Sequence, residues 1–216
     1  MSDLLLAWRD ALPVSAPESA ASRVGDDLLT RWGEAHRHYH TVAHLSAVLR
    51  IIDDYSDRAA DAGAVKLAAW FHDAIYDPQR VDNEEASALL AEATLPDLGV
   101  DAARLAEVAR LIRLTASHDP LPGDRNGGLL TDADLAILAA EPQVYRAYTL
   151  AIRREYAHIP DDAFEAGRAA VLHNLLALPR MFHTPVLRDR WEEAARHNIS
   201  WELSALSHPA PPAPAI

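Results

Sequence analysis

Three separated stretches of this chain carry side chains that bind metals. A His-Asp pair, His72-Asp73, sits inside the apolar run Trp70-Phe71-His72-Asp73-Ala74-Ile75-Tyr76. Upstream lies a histidine cluster, His36, His38, His40 and His44. Downstream, Asp132-Ala133-Asp134-Leu135 puts two carboxylates at the head of an apolar segment. A carboxylate in apolar surroundings must be paired, hydrogen-bonded or held by a metal. One divalent ion gathered from the three stretches satisfies them all. Metal-assisted hydrolysis is the chemistry expected of such an ion, which lowers the pKa of a bound water. The chain has no cysteine, so the ligands are nitrogen and oxygen, which suits Mn, Fe, Co, Ni, Zn or, less well, Mg. With no cysteine nucleophile and no serine in an elbow motif, a covalent route is disfavoured.

The elements that must position these groups read as helices throughout. Apolar residues recur at helical spacing in nearly every segment and no strand pattern appears. Leu4, Leu5, Trp8 and Leu12 mark a first helix stopped by Pro13, and Val24, Leu28, Leu29 and Trp32 a second ending near Gly33. A third spans about 41–55. Residues 65–75 are apolar all round, so a central buried helix is expected there, carrying the doublet and ended by Pro78. Further helices are expected at about 83–93, 101–117, 142–157 and 161–178, with a last one starting at Thr184-Pro185, a capping residue before a first-turn proline. Asp119 to Gly128, rich in proline and glycine, reads as a loop and candidate lid, with Thr131 or Asp132 capping the next helix.

Composition sets the frame. The chain has 216 residues, half of them apolar, with 8 glycines and abundant alanine and leucine. That is a globular, all-α profile. One domain over residues 1–206 is the economical reading, with a metal core at about 39–138. A Pro-rich tail at 207–216 is expected to be disordered. The formal net charge of −12 opposes non-specific binding to a nucleic-acid polymer. No apolar run approaches the roughly 18–20 residues of a membrane span, and the apolar N-terminal stretch is too short for a signal peptide. A cytoplasmic protein is expected; the oligomeric state is open.

The ordered set of residues resembles the HD superfamily of metal-dependent phosphohydrolases, whose hallmark is a His, then a His-Asp doublet, then a distant Asp on one α-helical core. The likeness is nearest to its small bacterial branch of predicted phosphohydrolases. It rests on Tyr39-His40-Thr41 with His44, Phe71-His72-Asp73-Ala74-Ile75-Tyr76, Asp82-Asn83-Glu84-Glu85-Ala86-Ser87, Asp132-Ala133-Asp134-Leu135 and Ala195-Arg196-His197-Asn198. The resemblance implies an HD-like helical bundle with extra C-terminal helices. It also implies the metal ligands His44, His72, Asp73 and Asp134, the last selected over Asp132 because it follows Ala and opens a Leu-rich stretch. The expected substrate is a nucleotide or small phosphorylated metabolite.

Supporting roles fall to neighbouring groups. Asp73 orients or deprotonates the water, with His72 beside it, and Glu84 is a candidate base or partner of a ligand. His40 is a candidate substrate contact; His36 and His38 read as solvated. His118 offers a ligand for a second ion. Donors for phosphate come from Arg37, Lys66, Arg80, Arg153, Arg154, Arg168 and Arg196, of which Arg168, next to Gly167, and Arg196 are the chosen pair. Tyr39, Tyr76 or Trp70 could stack on a base, although core packing explains them equally well. Two other functions stay open: a non-catalytic nucleotide- or partner-binding protein of the same fold, and a di-iron oxygenase. The oxygenase would need more histidines between the doublet and the last Asp than His118 alone.

Overall fold

A computed structural model describes residues 2–207. Those residues are helical, with no strand among them. The helices are α1 (Ser2–Ala11), α2 (Glu18–Trp32), α3 (Val42–Asp54), α4 (Ala62–Phe71), α5 (Asn83–Thr94), α6 (Ala102–Leu114), α7 (Arg125–Asp134), α8 (Pro142–Glu155), α9 (Asp161–Ala177) and α10 (Pro185–Ser207). Short 3₁₀ turns come after α3, α5 and α7. No helix among the described residues is long and apolar enough to cross a membrane. The expected disordered tail lies outside the described residues apart from Ser207, which ends α10.

Local chemistry explains where the helices start. Thr41 caps α3 by accepting from the Ala43 N–H, and Asp61 caps α4 through Ala64. Asp101 accepts from both Ala103 and Arg104 at the head of α6. Each supplies an oxygen to backbone donors that the first turn leaves without a partner.

Two compact units make up the chain, the first reaching to Asp134 and the second beginning at Leu135. No Gly- or Pro-rich linker marks this boundary; it falls between α7 and the 3₁₀ turn Leu135–Ala139. In the first unit α4 is central and packs against α1, α3, α5, α6 and α7. Its small residues Ala64, Ala68 and Ala69 are fully buried, as are Trp70 and Phe71 at its end. The Trp32 indole donates to the Trp70 carbonyl at 3.1 Å, fastening α2 to the end of α4. The second unit has its own core, with Leu138, Tyr145, Leu172, Met181, Phe182, Ala195 and Ile199 buried together.

Two expectations need correction. The central helix stops at Phe71, so the His72-Asp73 doublet lies in the turn beyond it and not on the helix. Secondly, only the first part of the expected lid is a loop. Residues 125–128 form the first turn of α7, so Thr131 and Asp132 lie inside a helix and cap nothing. The cap is Asp124, which accepts from the Gly127 N–H at 2.9 Å and is itself gripped by Arg110 at 2.8 Å. The glycine is a packing requirement rather than a sign of looseness. A β-carbon on Gly127 would stand 2.4 Å from Asp124 Oδ2 and 2.6 Å from Leu114 Cδ2.

Candidate metal centre

Three element ends converge. His44 is in the first turn of α3, His72 immediately succeeds α4, and Asp134 is the last residue of α7. One ligand atom from each lies within 4.8 Å of the others, making a group able to hold a metal ion. Asp134 Oδ1 stands 3.0 Å from His44 Nε2 and 3.5 Å from His72 Nε2. Metal bonds to imidazole and carboxylate run about 2.0–2.2 Å, so a nitrogen and an oxygen on one ion can be at most about 4.3 Å apart. Both separations fit.

The chemistry of the two imidazoles fits as well. Both Nε2 atoms are buried and neither makes a hydrogen bond, although Asp134 Oδ1 stands 3.0 Å from that of His44. Buried polar atoms are rarely left so. On the far side of its ring His72 donates Nδ1–H to the Ala69 carbonyl at 2.8 Å. That places the neutral ring's lone pair on Nε2, facing the cluster, the arrangement usual for a ligating histidine. The cluster also lies at the C-terminal end of α4, where the helix dipole favours a cation.

Electrostatics separate the members. Burial pushes the His44 imidazole below its ordinary value, against the opposing pull of Asp134. Burial works the same way on His72, but the carboxylates of Asp73 and Asp134 outweigh it and raise that ring to about 9. Asp134 would be raised by burial alone. The imidazoles around it, His72 first, reverse this and hold it well below the usual carboxylate range. The Asp134 carboxylate thus stays ionised among the imidazoles, as a metal ligand must.

Asp73 stands beside the group of three. Its Oδ2 is 3.4 Å from His72 Nε2 and 3.9 Å from His40 Nε2. His40 is partly exposed next to it, its ring 4.3 Å from that of Tyr76 and 5.8 Å from that of His44. Asp132 is fully buried elsewhere on α7, and Asp134 occupies the cluster. His118 meets Asp134 from the other side, Nε2 to Oδ2 at 2.8 Å. Glu84 is half-buried in the first turn of α5, and none of the described hydrogen bonds or ion pairs joins it to the cluster.

The irregular segment after the doublet is held by side chains that the motif reading undervalued. Five consecutive carbonyls, from residue 73 to residue 77, each accept a side-chain hydrogen bond. Arg37 donates to Asp73 at 2.8 Å and to Ala74 at 3.4 Å. Ser87 donates to Ile75, His36 Nε2 to Tyr76 and Asn83 to Asp77, at 3.2, 2.7 and 2.9 Å. Ser87 and Asn83 also accept the Ile75 and Asp77 N–H groups. The Asp82–Ser87 motif thus works by stapling the segment just past the doublet. His36, read as solvated, is bonded to this segment. The signal available in the sequence was Asn83 and Ser87, two polar residues four apart on a helix face that is otherwise buried.

Six of the seven expected phosphate donors, all but Arg154, are engaged by carboxylates. Arg37 pairs with Glu34, Lys66 with Asp53 and Arg80 with Asp82. In the second unit Arg153 pairs with Asp161, Arg168 with Glu202 and Arg196 with Glu192. Arg196 also donates to the Leu176 and Leu178 carbonyls, and Arg168 lies over the Tyr148 ring. Both chosen arginines therefore have internal structural work. Of the aromatic candidates, Trp70 is fully buried, Tyr76 lies against Arg37 and His40, and half-buried Tyr39 has its ring 4.8 Å from that of His44.

No family model, curated protein or solved structure matches this chain.

Proposed function

We propose that this chain is a metal-dependent phosphohydrolase of the HD type, cleaving the phosphoester of a nucleotide or a small phosphorylated metabolite by attack of water. The observation that carries the reading is the pair of buried imidazole nitrogens, His44 Nε2 and His72 Nε2. They converge on Asp134 Oδ1 without hydrogen bonds. His44, His72 and Asp134 would hold the ion, with the Asp73 carboxylate at its edge. A divalent ion there supplies an activated water and offsets charge on the phosphoryl group.

The chain's own residues do the rest. Asp73, whose Oδ2 lies 3.4 Å from His72 Nε2, would orient the attacking water and take its proton. His40, partly exposed beside Asp73, would donate to a phosphoryl oxygen. Arg37, Ser87, His36 and Asn83 keep the segment from Asp73 to Asp77 in one conformation, which preserves the geometry that positioning catalysis demands.

The test is phosphate release from a panel of nucleotides and simple phosphoesters with Mn, Co, Ni, Mg or Fe, run beside Asp73→Ala. Metal-dependent release that the variant loses is the expected result. Release that the variant retains, or that needs no metal, would refute the assignment.

A further inference from the structure

His118 is the single non-glycine residue with a positive φ among the described residues, at +51°. It lies just past the end of α6, and its N–H donates to the Leu114 carbonyl at 2.9 Å. The cap of α6 is Thr115, and His118 closes the turn that follows it; left-handed residues that end such turns are usually glycine or asparagine. A larger side chain there is strained, and strained backbone persists where the surroundings dictate the side chain's place. Here Asp134 dictates it. His118 Nε2 lies 2.8 Å from Asp134 Oδ2 in a well-directed hydrogen bond. The other carboxylate oxygen, Oδ1, is the one turned toward His44 and His72.

We infer that His118 is a positioning residue that ties down one oxygen of Asp134, so that the carboxylate offers the ion a single oxygen in a fixed orientation. His118 is then a partner of a ligand and not a ligand of a second ion. Its Nε2–H is spent on Asp134, and an acceptor must keep that proton in place. Hydrogen bonding of this kind orients a ligating carboxylate, and such outer contacts are typically worth about 10–100-fold in metal affinity. The inference rests on the metal reading above.

Two variants separate the backbone from the side chain. His118→Asn suits the left-handed backbone better than histidine does, but its amide is too short to reach Asp134. His118→Gln is long enough to donate to the same oxygen. Titrating the purified metal-free chain with Co²⁺, with heat and the visible d–d absorption as readouts, gives affinity, stoichiometry and coordination together. The wild-type chain is expected to bind one ion. His118→Asn is expected to bind it about 10–100-fold more weakly with an altered d–d band, while keeping its helical circular dichroism and melting temperature. His118→Gln is expected to recover most of the affinity and the wild-type band. A purely structural role for His118 would not move the band or be rescued by glutamine.

Asparagine and wild-type chains with equal affinity and identical bands would overturn the inference. So would two ions in the wild type and one in both variants, which would make His118 a ligand. A wild-type chain that binds no Co²⁺ removes the metal reading itself and this inference with it, a failure distinct from the other two.

Discussion

Replacing Arg37 with methionine should loosen the whole segment from Asp73 to Asp77. The guanidinium is fully buried and gathers carbonyls from two separate stretches: Asp73 at 2.8 Å, His40 at 3.2 Å and Ala74 at 3.4 Å. It also lies against the Trp32 and Tyr76 rings, 5.4 and 5.3 Å from their centroids. A hydrogen bond from a charged donor contributes about 1.5–3 kcal/mol net. Only the Asp73 bond has full-strength geometry; the other two are long and count for less. The Glu34 pair adds little, because that carboxylate is 41% exposed and screened by water. Methionine keeps the stem's packing but none of the donors, so the expected loss is roughly 3 kcal/mol. For a chain of this size that corresponds to about 6–12 °C in melting temperature. Arg37→Lys, which retains the charge but can reach fewer of the carbonyls, should fall in between. Thermal unfolding monitored by circular dichroism measures the loss, and a Co²⁺ titration of the folded variant measures the site. A loss below about 1 kcal/mol, or a large loss with unchanged ion affinity, would refute the claim that Arg37 sets the geometry of the doublet.

Other substitutions test the rest of the fold. Gly127→Ala forces a β-carbon against Asp124 and Leu114 at 2.4 and 2.6 Å and should cost about 1–3 kcal/mol. Gly167→Ala, within α9 and with nothing inside 4 Å, should raise stability by about 0.5–1 kcal/mol; the opposite signs of this pair are readable by thermal unfolding alone. Glu202→Ala removes the partner of buried Arg168 and of the Tyr145 hydroxyl, and a loss of about 3–5 kcal/mol is expected in chemical denaturation. Asn83→Ala cuts both hydrogen bonds to the Asp77 backbone. Amide hydrogen exchange at residue 77 should accelerate while exchange in α4 stays slow.

Punctuation made most helix boundaries legible. Pro13, Gly33, Pro96, Pro142 and Pro185 each stand within a residue or two of a helix end, since proline and glycine act locally. The all-round apolar stretch before the doublet correctly marks α4 as the buried centre, because such a helix has no face to give to water. The Gly127-Gly128 pair misled for a local reason: glycine reads as loop, but here it lets α7 approach Asp124 and Leu114. The doublet's departure from the helix was hidden too, because what holds it out is tertiary. Arg37 lies 36 residues from Asp73, and spacing alone does not disclose the pairing. His44 and Asp134 could be picked out by type and order, whereas the grip of His118 on Asp134 depends on a backbone conformation that the sequence does not advertise. What the sequence did not disclose about the cations read as phosphate donors is their internal partners: Arg168 meets Glu202 and Arg196 meets Glu192, as arginines in an acidic chain commonly do.

The most direct measurement is the metal content of the purified chain after equilibration with Mn²⁺, Co²⁺ or Zn²⁺, run beside His44→Ala and Asp134→Ala. The geometry predicts one tightly held ion per wild-type chain. Both variants should lose it, by more than the roughly 100-fold of an outer contact, while keeping their helical circular dichroism. No bound ion at saturating metal, or retention by either folded variant, would contradict the assignment of this cluster as a metal centre.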